Sequence, residues 1–175
     1  MSDTTELSIG ARWYDIAVDF EGSANSSFYN GFGNPDTQQF GSNLSAQYAP
    51  GNANGYPDKA ETDGVIGKVT YSWKPSEDKM YYVTWSEGFR PGLLNRPVGR
   101  TSADGSYSVP PSVDSDEITN IEFGWKNVLQ DGRLRFNGSI FRVDVSGLQS
   151  TIFDPSIVNL FFSDNAADAE IKGVE

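Results

Sequence analysis

Along most of the chain apolar and polar residues alternate singly, and the alternation comes in blocks separated by turn chemistry. Leu7, Ile9, Ala11 and Trp13 oppose Ser8, Gly10 and Arg12, after which Ile16, Val18 and Phe20 carry the apolar phase. This predicts one long strand with a bulge near Tyr14-Asp15. Val65, Gly67, Val69, Tyr71 and Trp73 oppose Lys68, Thr70, Ser72 and Lys74, with Ile66 out of phase. Pro75-Ser76-Glu77-Asp78 then supplies a turn, and Tyr81, Val83 and Trp85 return against Tyr82, Thr84 and Ser86. A further hairpin sets Ile121, Phe123 and Trp125 against Asn120, Glu122 and Lys126, turns at Asp131-Gly132, and continues with Leu134, Phe136 and Ile140 against Arg135, Asn137 and Ser139. Beyond Ile140 the apolar phase moves to Phe141, Val143 and Val145, as a bulge or the edge of a lipid zone would make it do. A last strand runs up to Glu175.

The connections between these strands alternate long, short, long, short, long. Residues 21–62 and the stretch from Pro91 to about Val113 are rich in Gly, Asn, Ser and Pro, whereas the turns near Glu77 and Asp131 are tight. Successive antiparallel strands place alternate connections at opposite ends, so all long loops leave one rim and all tight turns the other. Membrane β-barrels have that asymmetry, with long loops outside and short turns in the periplasm. Trp73 and Trp125 fall beside short turns, where an amphipathic ring suits a membrane interface. The pattern implies about six strands of an all-β, antiparallel, up-and-down transmembrane barrel. A soluble β-sandwich would alternate in the same way and bury those aromatics between two layers.

Composition narrows the chemistry. No apolar run approaches the ~18 residues of a membrane helix, while a β-crossing of about 9–11 residues escapes such a test. There are no cysteines and no histidines among the 175 residues, which removes disulfides, thiolate metal sites and the usual general base. A net charge of -11 argues against nucleic acid as a partner. Asp114, Asp116 and Glu117 are oxygen donors at close spacing, but no EF-hand glycine turn accompanies them, and a charged strand start accounts for them. Neither a catalytic constellation nor a cofactor or metal site emerges. The N-terminal residues lack a basic segment followed by an apolar one, so an exported chain of this kind is expected to be a piece of a longer protein.

The order of short motifs resembles the late barrel strands of TonB-dependent outer-membrane receptors. The resemblance rests on Asp116, Glu117, Asn120, Glu122, Gly124 and Lys126, then Asn137 and Phe141, then Leu148-Gln149, then Asn165, Ala166, Ala169, Ile171, Gly173, Val174 and Glu175. Ser86-Glu87-Gly88-Phe89-Arg90-Pro91-Gly92 resembles the segment by which a strand leaves the membrane in that family. The resemblance implies a fragment of the C-terminal barrel over residues 1–175, without the plug domain and the final strands, in the bacterial outer membrane. It implies uptake of a scarce nutrient such as a ferric siderophore, with lipid, the plug and the TonB complex as partners. A passive porin would share the wall but carry no plug. Ligand contacts are expected from loop aromatics Phe28, Tyr29, Phe32, Tyr48 and Tyr56, which could equally pack on one another, and from Arg90 and Arg96, although a pairing of Arg90 with a neighbouring carboxylate is the favoured reading of that residue.

The alternation assigns Val69, Tyr71, Trp73, Val83, Trp85, Ile121, Phe123 and Trp125 to lipid. Lys68, Thr70, Thr84, Asn120, Glu122, Lys126, Arg135 and Asn137 fall to the lumen. Phe123→Arg is therefore expected to cost about 2–4 kcal/mol near the midplane and Glu122→Arg much less, measured as folded barrel recovered in bilayers.

Overall fold

The computed structural model describes residues 4–19, 59–95, 101–154, 156–157 and 161–175. Eight strands account for most of these: β1 Thr5–Asp19, β2 Lys59–Ser76, β3 Lys79–Arg90, β4 Leu93–Leu94, β5 Ser112–Val113, β6 Asp116–Leu129, β7 Leu134–Phe153 and β8 Phe161–Val174. Six of them form one antiparallel meander in the order β1-β2-β3-β6-β7-β8, while β4 and β5 pair apart from it. Strands of 12 to 20 residues exceed the roughly 9–11 needed to cross hydrocarbon, so they project beyond it.

The two tight turns form as the sequence dictates. Ser76 pairs with Lys79 across Glu77-Asp78. Leu129 pairs with Leu134 across residues 130–133, where Gln130, Asp131 and Gly132 all take positive φ. Successive left-handed residues reverse the chain within one turn, and a polar residue followed by glycine tolerates this best. Both turns lie at one end. The connections 20–58, 91–115 and 154–160 leave the other end, so the expected asymmetry of the rims is present.

Cross-strand register puts the expected apolar set on a single face. Leu7, Tyr71, Val83, Phe123 and Ile140 run side by side, as do Ile9, Val69, Trp85 and Ile121. Trp73, Tyr81 and Trp125 form a row beside the turns, continued by Phe136, with ring centroids 5.7 Å apart for Trp73–Tyr81 and 5.8 Å for Trp125–Phe136. Among the described residues no second layer covers this face: Ile9 is 72% exposed, Trp13 69% and Val174 72%. A sandwich would have buried them. From Val65 to Trp73 the apolar stretch spans about 27 Å at ~3.4 Å per residue, close to the ~25 Å outward band of membrane barrels once tilt is allowed for.

Two expected irregularities resolve differently. The β1–β2 register is unbroken from Thr5↔Trp73 to Asp19↔Lys59, so the bulge expected near Tyr14-Asp15 does not exist. Likewise β6–β7 pair without a slip from Glu117↔Ser146 to Leu129↔Leu134, and the phase change after Ile140 is the edge of the apolar band. Past that edge the outward positions become Asp15, Asp63, Arg142, Asp144, Glu170 and Lys172. Several of these join in an ion-pair chain through Arg142–Glu170 (2.8 Å) and Lys172–Glu170 (2.7 Å). The inward positions meanwhile take Ile16, Val18, Phe141, Val143 and Val145. Irregularities of register do occur elsewhere, between Val145 and Gln149 on β7–β8 and near Trp73/Ser76 on β2–β3.

Four aromatic residues stand directly opposite a glycine on the neighbouring strand: Tyr14↔Gly64, Tyr82↔Gly124, Trp125↔Gly138 and Phe141↔Gly173. Each ring lies over its glycine, in the space where a Cβ would stand. The ring thereby fills the gap that a missing side chain leaves in a sheet.

One seam is weaker. Both β2 and β3 run on towards the outer rim, but the ladder between them ends at Lys68↔Ser86. Beyond it the Gly67 N–H donates to the Glu87 carboxylate (2.8 Å), Tyr14 reaches across to stack on Phe89 (centroids 3.6 Å), and the Gly92 N–H donates to the Thr62 hydroxyl (3.1 Å). Side chains thus join the strands where backbone pairing has stopped.

Gly138→Ala should destabilise the barrel by about 1–3 kcal/mol, since the new Cβ meets both the Trp125 ring and the Glu175 carbonyl. Combining it with Trp125→Leu should recover part of that loss in a double-mutant cycle read from denaturant unfolding in bilayers.

Candidate functional site

The connection from Pro91 to Ser115 leaves β3 at the rim opposite the tight turns, and buried polar side chains hold it against β7 and β8. Asp116, at the start of β6, has no exposed surface. Its carboxylate accepts from Arg90 Nε (2.7 Å) and Nη2, from the Arg90 backbone N–H (3.1 Å) and from the Gln149 N–H (3.4 Å). Arg90 Nη2 also donates to the Gln149 carbonyl (3.2 Å). Hydrogen bonds from Arg90 hold the Asp116 carboxyl below its ordinary value, the Gln149 N–H adds to this, and burial opposes it. A buried carboxylate is tolerated because its oxygens are occupied by a cation and by N–H donors.

Three amide side chains extend the brace. Gln149 Nε2 donates to the carbonyls of Pro91 (2.9 Å) and Asp114 (2.8 Å). Asn165 accepts from the Asp114 N–H (2.8 Å) and donates to the carbonyls of Asp114 (3.0 Å) and Gly147 (2.7 Å). Asn95, 4% exposed, donates to the carbonyls of Pro110 (2.9 Å) and Ser163 (2.8 Å) and accepts from the Ser163 N–H (2.7 Å). One amide supplies both a donor and an acceptor, so it substitutes for a rung of ladder where no strand is available. Gly92 is required at the crossing, because a Cβ there would stand 2.6 Å from the Val113 carbonyl oxygen.

Beside the brace, residues within 102–107 and 152–162 border an open surface cavity of about 510 Å³. Its floor is apolar: Tyr107, Ile152 and Ile157 pack on the buried pair Val109 and Phe162. Its mouth carries Ser102, Asp104, Ser106, Asp154 and Ser156. Asp104 Oδ1 accepts from the Ser102 hydroxyl (2.6 Å) and from the Ser106 N–H (3.1 Å) and hydroxyl (2.8 Å), which lowers its pKa to about 2. Asp154 Oδ1 accepts from the Ser156 N–H (2.9 Å) and hydroxyl (2.6 Å), and is lowered for the same reason. Burial, together with a 2.6 Å bond donated to Asp164, pushes the Tyr107 phenol up.

Of the candidates named from sequence, Arg90 stands in the brace, with its guanidinium on Asp116. Phe28, Tyr29, Phe32, Tyr48, Tyr56 and Arg96 lie outside the described residues. The cavity was not anticipated. Its local signals were Ser102-Ala103-Asp104-Gly105-Ser106 and Asp154-Pro155-Ser156, short turns in which an aspartate bonds the backbone two residues on. The brace residues Asp116, Gln149 and Asn165 were legible as motif positions, though not as partners.

A single antiparallel sheet, apolar and uncovered outside, polar within, tightly turned at one rim and looped at the other, defines the wall of an outer-membrane β-barrel. The chain belongs to the family "TonB dependent receptor-like, beta-barrel", which matches residues 2–175. Members are outer-membrane transport receptors, and the outer membrane is where this barrel resides. No curated protein and no solved structure matches the chain.

Asp116→Asn should loosen the rim by about 1–3 kcal/mol, discounted from the cost of breaking a fully buried pair because Arg90 is half exposed. Limited proteolysis of the intact receptor should then cut faster within residues 91–115. Because the folded pKa lies below the unfolded value of about 3.9, the carboxylate's contribution is complete above that pH and is lost as pH falls through the folded value. Pepsin cleavage of the wild-type segment should accordingly accelerate only well below pH ~4.

Proposed function

We propose that this chain forms wall and outer loops of a receptor that captures a scarce nutrient, such as a ferric siderophore, and admits it with energy delivered by the TonB complex through the plug of the full-length receptor. The observation that supports this best is the brace. Asp116, Gln149, Asn165 and Asn95 hold the connection 91–115 in a defined position at the looped rim, as ligand capture from outside requires and a simple aqueous hole does not.

The inward face suits a plug. Lys68, Thr70, Thr84, Glu122, Lys126, Arg135 and Asn137 share it, and the Tyr82 hydroxyl donates to Glu122 (2.5 Å) across β3 and β6. Polar groups on rigid strands can bind a folded domain reversibly, because water replaces each contact as it breaks. Ligand contacts from Phe28, Tyr29, Phe32, Tyr48, Tyr56, Arg90 and Arg96 belong to the same reading. Arg90 would act while remaining on Asp116, through the part of its guanidinium that stays exposed.

Cells expressing the full-length receptor should accumulate radiolabelled iron presented as a siderophore complex, and removal of TonB or an uncoupler should abolish the uptake. Accumulation that persists without TonB would instead mark a passive pore.

A further inference from the structure

The outer cavity has a chemistry of its own. Its apolar floor is built from Tyr107, Ile152, Ile157 and Phe162, and its mouth carries the carboxylates of Asp104 and Asp154 without any Lys or Arg among the described lining residues. In each carboxylate the neighbouring serine groups bond Oδ1 and leave Oδ2 to other partners. Both groups are held ionised by those serine bonds. A lining of this kind attracts a cation with a hydrocarbon arm and repels an anion. It suits a sugar less well, because Phe162 is 2% exposed and offers no ring face for stacking.

We infer that this cavity binds a primary ammonium carried on an aliphatic or aromatic arm of the transported ligand, with Asp104 and Asp154 as its counter-charges. The inference rests on the uptake reading and narrows its substrate class. Three hydroxamates neutralise ferric iron, so a trihydroxamate complex with a pendant amine is a net cation. Three catecholates leave the complex trianionic, and the mouth disfavours it.

The test uses the full-length receptor in nanodiscs and titration calorimetry with three ferric complexes: a linear trihydroxamate with a free terminal amine, the same complex N-acetylated, and a tris-catecholate. The amine-bearing complex should bind about tenfold more tightly than its acetylated form, two exposed ion pairs each supplying up to about fivefold, and the tris-catecholate should bind most weakly. Asp104→Asn with Asp154→Asn keeps the Oδ1 acceptors and should erase the difference while leaving the acetylated complex unaffected. Heat-dependent gel mobility checks that the barrel is folded. Equal binding of the amine and acetylated complexes, absence of binding by the amine complex, preference for the tris-catecholate, or an equal loss on Glu61→Gln, which lies outside the cavity, would overturn the inference. TonB-dependent uptake that continues in the double variant without discrimination would leave the receptor reading standing and remove this one alone. Uptake that never required TonB would remove the receptor reading first.

Discussion

Backbone amides cannot be left unpaired in hydrocarbon, and the sheet answers to that demand with long ladders and, at Gly67, with a carboxylate where the β2–β3 ladder stops. The demand favours strands in continuous register over local irregularity, which is why β1–β2 and β6–β7 run without a slip through every change of side-chain character. Apolar packing, which organises a soluble core, has only a small part here. Val109, Val113, Val145 and Phe162 are the buried hydrophobic residues among those described, and many large apolar side chains are exposed. Side chains instead protect and complete the ladder. Tyr14, Tyr82, Trp125 and Phe141 each cover a glycine opposite. Outside hydrocarbon, Gln149, Asn165 and Asn95 stand in for rungs that the loops cannot form.

The same demand explains what could be read from the sequence. Alternation gave the strands and their faces because a side-chain period of two follows directly from the pleat. The turn at Asp131-Gly132 was legible because positive φ constrains residue type locally. The bulge expected near Tyr14-Asp15 was an error of interpretation. A shift in apolar phase looks identical whether an extra residue rotates the strand or the surroundings exchange sides. Here the surroundings exchange. Past the band the outside is water, so Asp15, Asp63 and Arg142 point there, while Ile16, Val18 and Val143 turn towards the lumen. The phase change after Ile140 has the same origin, and of the two explanations open for it the lipid edge holds.

The brace was beyond the reach of local reading. Asn95 and Ser163 are 68 residues apart, Arg90 and Asp116 are 26 apart, and neither interval follows from any period of strand or turn. Motif resemblance located several of these positions, but it supplied no partners. The consequence for the site is physical. Loops joined to strand ends through a saturated carboxylate and three amides have fewer conformations to lose when a ligand arrives, so less binding free energy goes into ordering them.

The seam between β2 and β3 gives the wall a different property near its outer rim. Above Lys68↔Ser86 the wall is two ribbons fastened by a carboxylate, a hydroxyl and one pair of stacked rings. Those fastenings can stretch, slide and re-form without severing any interstrand amide bond, so strain imposed on the mouth is absorbed there first. The barrel contains the equivalent of an expansion joint, placed above its stiffest rungs.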